Sequence, residues 1–231
     1  MDSILRRDLG FPPASVPLRA RLDSLGQGSR GVRDSSFERR VAAIAAILAS
    51  SEGMAAVLQP SDTDLVPSLA LERHRGGCTS LAFAWLVLGE RFGLRLEPVL
   101  LPGHLTLRDS SGRFVEPLRG GLERTASFYD SAFQLARRPA YAALRAVPHG
   151  LEAAMAVQGG ILAWKAGHLE RARDALRIAC LLAPRLPEAE GNLGLVFEAL
   201  GEPDSARAHL AVAVAGDSLN QAARLRLEKL R

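Results

Sequence analysis

The run Arg75-Gly76-Gly77-Cys78-Thr79-Ser80-Leu81-Ala82, followed by Pro102-Gly103-His104 and then by Phe114-Val115-Glu116-Pro117, decides how this chain is read. A cysteine, a histidine and a carboxylate arrive in that order, each at the edge of an expected helix or strand. That trio is the minimum equipment for thiol nucleophilic catalysis. Gly76-Gly77 breaks a helix, whereas Ser80 to Phe92 is a largely apolar helical run closed by Gly93, so Cys78 falls at or just before a first turn. Free backbone N–H groups and the positive end of the helix dipole are found there. Both favour thiolate over thiol, and the N–H groups can receive the oxyanion of an acyl intermediate.

Working outward, Leu96 to Arg108 is rich in Leu and Val, Asp109-Ser110-Ser111-Gly112 is a turn cluster, and Arg113 to Leu118 is a second short run. This pattern predicts a β-hairpin. Counted inward from the turn, His104 and Glu116 come within reach of being cross-strand neighbours, so the carboxylate can hold the imidazole in the needed tautomer.

The ordered residues Arg73, Arg75-Gly76, Cys78, Ser80-Leu81-Ala82, Leu94, Leu101-Pro102-Gly103-His104, Glu116-Pro117 and Gly120-Gly121 resemble the transglutaminase-like superfamily. They are closest to its bacterial SirB-type branch, in which such a domain precedes tetratricopeptide repeats. The resemblance covers roughly residues 65 to 125. It implies an α+β papain-like fold with a Cys-His-carboxylate site, carried over to Cys78, His104 and Glu116. The superfamily most often has Asp at the third position, so Glu116 is a longer-armed substitute. Many members of this branch have lost the cysteine; this chain retains it.

The C-terminal third carries an internal repeat. Gly160, Gly167, Ala172, Leu176 and Ala179 recur 34 positions later as Gly194, Gly201, Ala206, Leu210 and Ala213. That period resembles tetratricopeptide helix pairs. Gly167 and Gly201 mark the turns, Ala172 and Ala206 the closest crossings, and Pro184 ends the first unit. The aromatic usual in the first helix is Ala163 in one unit and Phe197 in the other. Gln221 to Arg231 reads as a capping helix. Two units present a small face, which serves equally as a buttress for the preceding domain or as a site for a protein or peptide partner.

The expected organisation is therefore an arm or linker over residues 1–35, a transglutaminase-like domain over 36–126, a helical bridge over 127–150 broken at Pro139, and an all-α repeat module over 151–231. Within the domain, Phe37 to Leu48 is Ala-rich and amphipathic, a helix, and Asp62 and Asp64 lie in a loop approaching the site as caps or solvated acids.

Composition narrows the function classes. The net charge is +4, but nearly all of it is arginine alternating with acids, and aromatics are only 5%, so the clustered basic footprint of a nucleic-acid binder is missing. The Met1-Asp2-Ser3 start has no basic and apolar leader pattern and no apolar stretch is long enough to span a membrane, so a cytoplasmic protein without a membrane partner is expected. Two cysteines suit a reducing compartment better than a disulfide framework. His74 lies four residues before Cys78, but Gly76-Gly77 separates them and no further ligand pair has metal spacing, so neither metal nor cofactor is expected. Cys180, His149, His168 and His209 read as structural or surface residues of the helical region.

The leading function is thiol-dependent acyl transfer, with hydrolysis of an amide or peptide-like bond favoured over cross-linking: Cys78 attacks, His104 moves the proton and Glu116 orients His104. The rival is a non-catalytic scaffold that keeps the fold and binds a partner through its repeats.

Overall fold

A computed structural model gives the structure of the chain and describes residues 14, 17–27 and 31–230. Two compact units result. One takes the described residues through Val99 together with His104–Thr125, and the other takes Leu100–Gly103 with the described residues from Ala126 onward.

The first unit is α+β. Helix α1 (Leu18–Leu25) and helix α2 (Phe37–Leu48) precede a short strand β1 (Ala55–Ala56), a 3₁₀ turn over Asp62–Leu65, helix α3 (Pro67–Glu72) and strand β2 (Arg75–Gly76). Helix α4 (Cys78–Arg91) follows, then strands β3 (Leu96–Leu101), β4 (His104–Asp109), β5 (Phe114–Glu116) and β6 (Leu122–Arg124). The strands β3 to β6 form one sheet in chain order, with the β4–β5 and β5–β6 pairs antiparallel. A separate parallel pair joins β1 to β2 through Ala55↔Arg75 and Ala56↔Gly76.

Helix α4 is the centre of this unit. Leu81, Trp85 and Leu88 are buried along it, as are Ile44 on α2 and Leu105 and Leu107 on β4. A helix apolar on most of its circumference has to be covered on several sides. Trp85 is covered closely enough that a Cβ on Gly121 would lie 2.4 Å from its ring.

Two expectations are corrected. Within the stretch expected to be a loose arm, Leu18–Leu25 is helical and its Leu22 is 0% exposed; Arg91 donates from Nε to the Gly26 carbonyl at 2.8 Å. The remainder of residues 1–16 and 28–30 lies almost wholly outside the described residues. Leu96–Arg108 is not one strand of a hairpin but two strands, because Pro102 and Gly103 (φ +65°) turn the chain between them. Leucine-rich patterning runs through the turn on both sides and hides it. His104 consequently opens a strand.

The second unit is helical: α5 (Ala126–Phe133), a 3₁₀ turn over Leu135–Arg137, then α6 (Gly150–Lys165), α7 (Leu169–Leu182), α8 (Pro187–Ala199), α9 (Pro203–Gly216) and α10 (Gln221–Lys229). Helices α6 and α7 pack as one pair and α8 and α9 as another. Gly167 (φ +78°) and Gly201 (φ +77°) make the two turns in the left-handed region that glycine enters without strain. Equivalent contacts recur in both pairs: a Cβ on Gly160 would lie 2.5 Å from Leu176 Cγ, and one on Gly194 would lie 2.7 Å from Leu210 Cγ. Ala172 and Ala206 are completely buried in a core shared with Leu176, Leu193 and Phe197. Among the described residues, no helix is long and apolar enough to cross a membrane.

Close helix crossing leaves no room for larger side chains at the two alanines. Ala172→Leu and Ala206→Leu are each expected to cost about 1–3 kcal/mol by overpacking, whereas Leu181→Ala, at a residue 79% exposed, stays within about 0.5 kcal/mol. Urea denaturation of the three variants checks this; an unchanged midpoint for both alanine variants contradicts the packing.

Candidate active site

The nucleophile's position follows from glycine chemistry. Strand β2 runs extended into Gly77 (φ −79°, ψ −177°), which is the N-cap of α4 and supplies no side-chain cap. A Cβ on Gly76 would lie 2.4 Å from Met54 Sδ, and one on Gly77 2.8 Å from Leu65 Cδ2. Only glycine fits this close approach, and it delivers Cys78 as the first residue of α4. The half-buried thiol has the Thr79 hydroxyl 3.9 Å away.

His104 and Glu116 come from β4 and β5. The register Leu107↔Val115 and Arg108↔Phe114, continued one step, sets Glu116 opposite Thr106 and therefore diagonal to His104 on the same face of the sheet. A diagonal pair is wider than a directly opposed one, and the extra methylene of glutamate spans it. His104 Nε2 lies 2.9 Å from Glu116 Oε2. The other carboxylate oxygen accepts from the Leu118 N–H at 3.2 Å, so the acid is held at both oxygens. Glu116 is 5% exposed.

The Cys78 side chain lies close enough to the imidazole to act on its ionisation. With Nε2 committed to Glu116, Nδ1 is the nitrogen left for sulfur. Burial pulls the His104 pKa down, but the hydrogen bonds from Cys78 and Glu116 and the charge of Glu116 outweigh it, raising the group to about 9. The ring is thus an imidazolium at neutral pH. The three residues named from sequence lie together, in the order sulfur, imidazole, carboxylate.

Asp64 was expected to be a cap or a solvated loop acid. It does cap, since its Oδ2 accepts from the Ser61 N–H and the Ser61 hydroxyl, each at 2.8 Å, but it is 0% exposed rather than solvated. Its Oδ1 is 3.1 Å from Arg75 Nε. Burial pushes the carboxyl pKa up, and the Ser61 hydrogen bonds and the Arg75 guanidinium more than offset this, leaving it below the usual range. The Asp64 main-chain oxygen accepts from the Gly77 N–H and from the Ser80 hydroxyl, both at 2.8 Å. The residue is therefore the fastening for the first turn of α4. Its main-chain role has no sequence signal; the Ser61-x-x-Asp64 spacing is the only trace.

His74 lies apart from the trio's hydrogen bonds, with Nδ1 3.1 Å from the Gly53 carbonyl and a left-handed backbone (φ 55°). Among the described residues, no three His, Cys, Asp or Glu side chains come together to hold a metal ion.

This α+β unit carries a cysteine at the start of a helix and a histidine and an acid on adjacent strands. The sequence profile of the Transglutaminase-like superfamily matches residues 23–145, more than half of the chain, and the chain belongs to that superfamily. Members of the superfamily are often thiol-dependent acyltransferases. No curated protein and no solved structure matches the chain.

Two measurements follow. A histidine whose pKa is raised from about 6.5 to about 9 contributes stability that is fully present below the lower value and is lost as pH rises through the higher one. The stability difference between wild type and His104→Ala, from denaturant titrations, is therefore largest near pH 6 and shrinks toward pH 10; a difference that grows with pH contradicts the assignment. Asp64→Ala removes the acceptor of the Ser61 N–H and hydroxyl and the partner of Arg75, and is expected to cost about 1–3 kcal/mol, with Asp64→Asn losing less because an acceptor remains.

Proposed function

We propose that the protein is a thiol-dependent acyl-transfer enzyme that hydrolyses an amide or peptide-like bond through a Cys78 thioester. What carries this reading is the His104 ring, hydrogen bonded to Glu116 and raised in pKa by both Glu116 and the nearby Cys78. With the proton already on His104, the Cys78 sulfur attacks the carbonyl carbon as the thiolate of that ion pair, and the C=O electron pair moves to oxygen. Backbone N–H groups of the uncapped first turn of α4 are available to receive that oxyanion. Collapse breaks the C–N bond, and His104 gives its proton to the leaving amine. Water then donates a proton to His104 and attacks the thioester, and collapse releases the acid and restores the thiolate–imidazolium pair. Glu116 accepts the ring N–H throughout and stabilises the imidazolium.

On the same reading, residues 36–126 are the acyl-transfer domain of the SirB-type branch and residues 151–231 are two tetratricopeptide units with a cap, joined by residues 127–150. The recurrence of Gly160–Leu176 packing as Gly194–Leu210 supports the repeat assignment. Such a module offers a face for a protein or peptide, and a cytoplasmic setting would keep both thiols reduced.

The second thiol is an internal control. Burial, with the charge and hydrogen bond of Glu190, pushes Cys180 up to about 12, so it remains a protonated, inert thiol at pH 8. Iodoacetamide followed by peptide mass spectrometry is expected to label Cys78 at least about tenfold faster than Cys180. Equal or reversed rates remove support for an activated nucleophile. Against amide or peptide substrates, Cys78→Ala abolishes turnover and His104→Ala loses nearly as much, because members of a catalytic unit are not additive; Glu116→Gln loses less. Wild-type activity falls as pH rises through about 9, where His104 loses its proton. Full rescue of a deletion strain by Cys78→Ala would instead favour a non-catalytic scaffold.

A further inference from the structure

The helical unit contains a groove of about 400 Å³ that the triad does not use. Its walls come from Leu100 and from two longer segments of that unit, the stretch around residues 139–147 and the turn at 183–187 between α7 and α8. They are apolar and proline-rich, with Pro139, Val147, Leu186 and Pro187 among them. The charged groups among its lining residues are the guanidinium groups of Arg145 and Arg185, and no carboxylate lines it. Neither arginine has a hydrogen bond or ion pair among the described residues. Two unspent cations beside an apolar wall form an amphipathic surface with one sign of charge.

Three further observations mark the groove as built. Its walls are strapped in place: the Ala140 N–H donates to the Gly216 carbonyl at 3.0 Å, and Arg138 is paired with Asp217 at 2.5 Å. Both wall segments carry a non-glycine residue in the left-handed region, Leu144 (φ 45°) and Arg185 (φ 64°), a conformation that costs energy and persists where surroundings impose it. Finally, Tyr141 lines the groove with its hydroxyl buried and without a hydrogen-bond partner. Burial and the charges of Glu188 and Asp217 push this phenol upward, so it remains a donor. Those two acids are themselves engaged, Glu188 by the Gly103 N–H and Asp217 by Arg138. A buried donor left over in a groove with two free cations calls for an acceptor.

We propose that this groove is a binding site for a small amphipathic carboxylate, an aliphatic acid whose head meets Arg145 and Arg185 and whose chain lies along the prolines, with the Tyr141 hydroxyl as a third donor. The volume falls within the range of small-molecule sites, and apolar walls with a few convergent polar groups are their usual chemistry. Arginine is suited to the head because its planar fork matches a carboxylate. The site is independent of the proposed acyl-transfer chemistry.

Isothermal titration of the full chain with sodium octanoate, below its micellar concentration, tests this, with octan-1-ol and acetate as probes of tail and head alone. Octanoate is expected to bind at least about tenfold more tightly than either. Arg145→Gln and Arg185→Gln, exposed positions without structural partners, should each weaken octanoate about tenfold and leave octan-1-ol unchanged. Tyr141→Phe should weaken octanoate without lowering the Tm of the free protein, since the hydroxyl it removes makes no bond there. Cys78→Ala should bind as wild type does. The proposal is overturned by no measurable binding, by octan-1-ol matching octanoate, by arginine variants of wild-type affinity, or by loss of binding in Cys78→Ala, which would move the ligand to the triad.

Discussion

The hydrogen bond between His104 Nε2 and Glu116 Oε2, at 2.9 Å, is the constraint on which the proposed chemistry depends. It crosses two strands on a diagonal, so it exists only while the β4–β5 register holds. A one-residue slip would send every side chain of one strand to the opposite face. The register is pinned by the Asp109 turn, where the carboxylate accepts from the N–H groups of Ser111 and Arg113 at 2.9 Å each. It is pinned again by Thr106, whose hydroxyl donates to the Val115 carbonyl at 3.1 Å. Glutamate rather than aspartate at position 116 follows from the same diagonal geometry.

The other half of the site is fixed by a different device. Cys78 depends on the Gly76-Gly77 approach and on Asp64, whose main-chain oxygen ties down Gly77 and Ser80. A buried carboxylate held by Ser61 and Arg75 thus anchors the turn that carries the thiol, while a hairpin turn anchors the base. Both anchors use an aspartate that accepts several local hydrogen bonds, and both hold its pKa below the usual range.

Much of this was legible in the residues. Adjacent glycines before an apolar run dictate a helix start at Cys78, and a period of 34 with glycine and alanine at matching places dictates two similar helix pairs. What stayed hidden depends on long-range or main-chain contacts. Leucines continue on both sides of Pro102-Gly103 within Leu96–Arg108, so patterning could not separate β3 from β4. The Leu18–Leu25 helix buries essentially one residue, Leu22, too faint a stripe to read. Asp64 acts partly through its carbonyl, which every residue has. The groove beside Tyr141 arises from segments some 40 positions apart in sequence, whose residues carry no shared motif.

The most direct measurement is the ionisation of His104 itself, by imidazole ¹⁵N chemical shifts across a pH titration, assigned by the signal missing in His104→Gln. The geometry predicts both ring nitrogens protonated at pH 7 and a midpoint near 9, lowered in Glu116→Gln and in Cys78→Ala because each removes a raising contact. A neutral ring at pH 7, or a midpoint insensitive to both substitutions, would contradict the coupling of sulfur, imidazole and carboxylate.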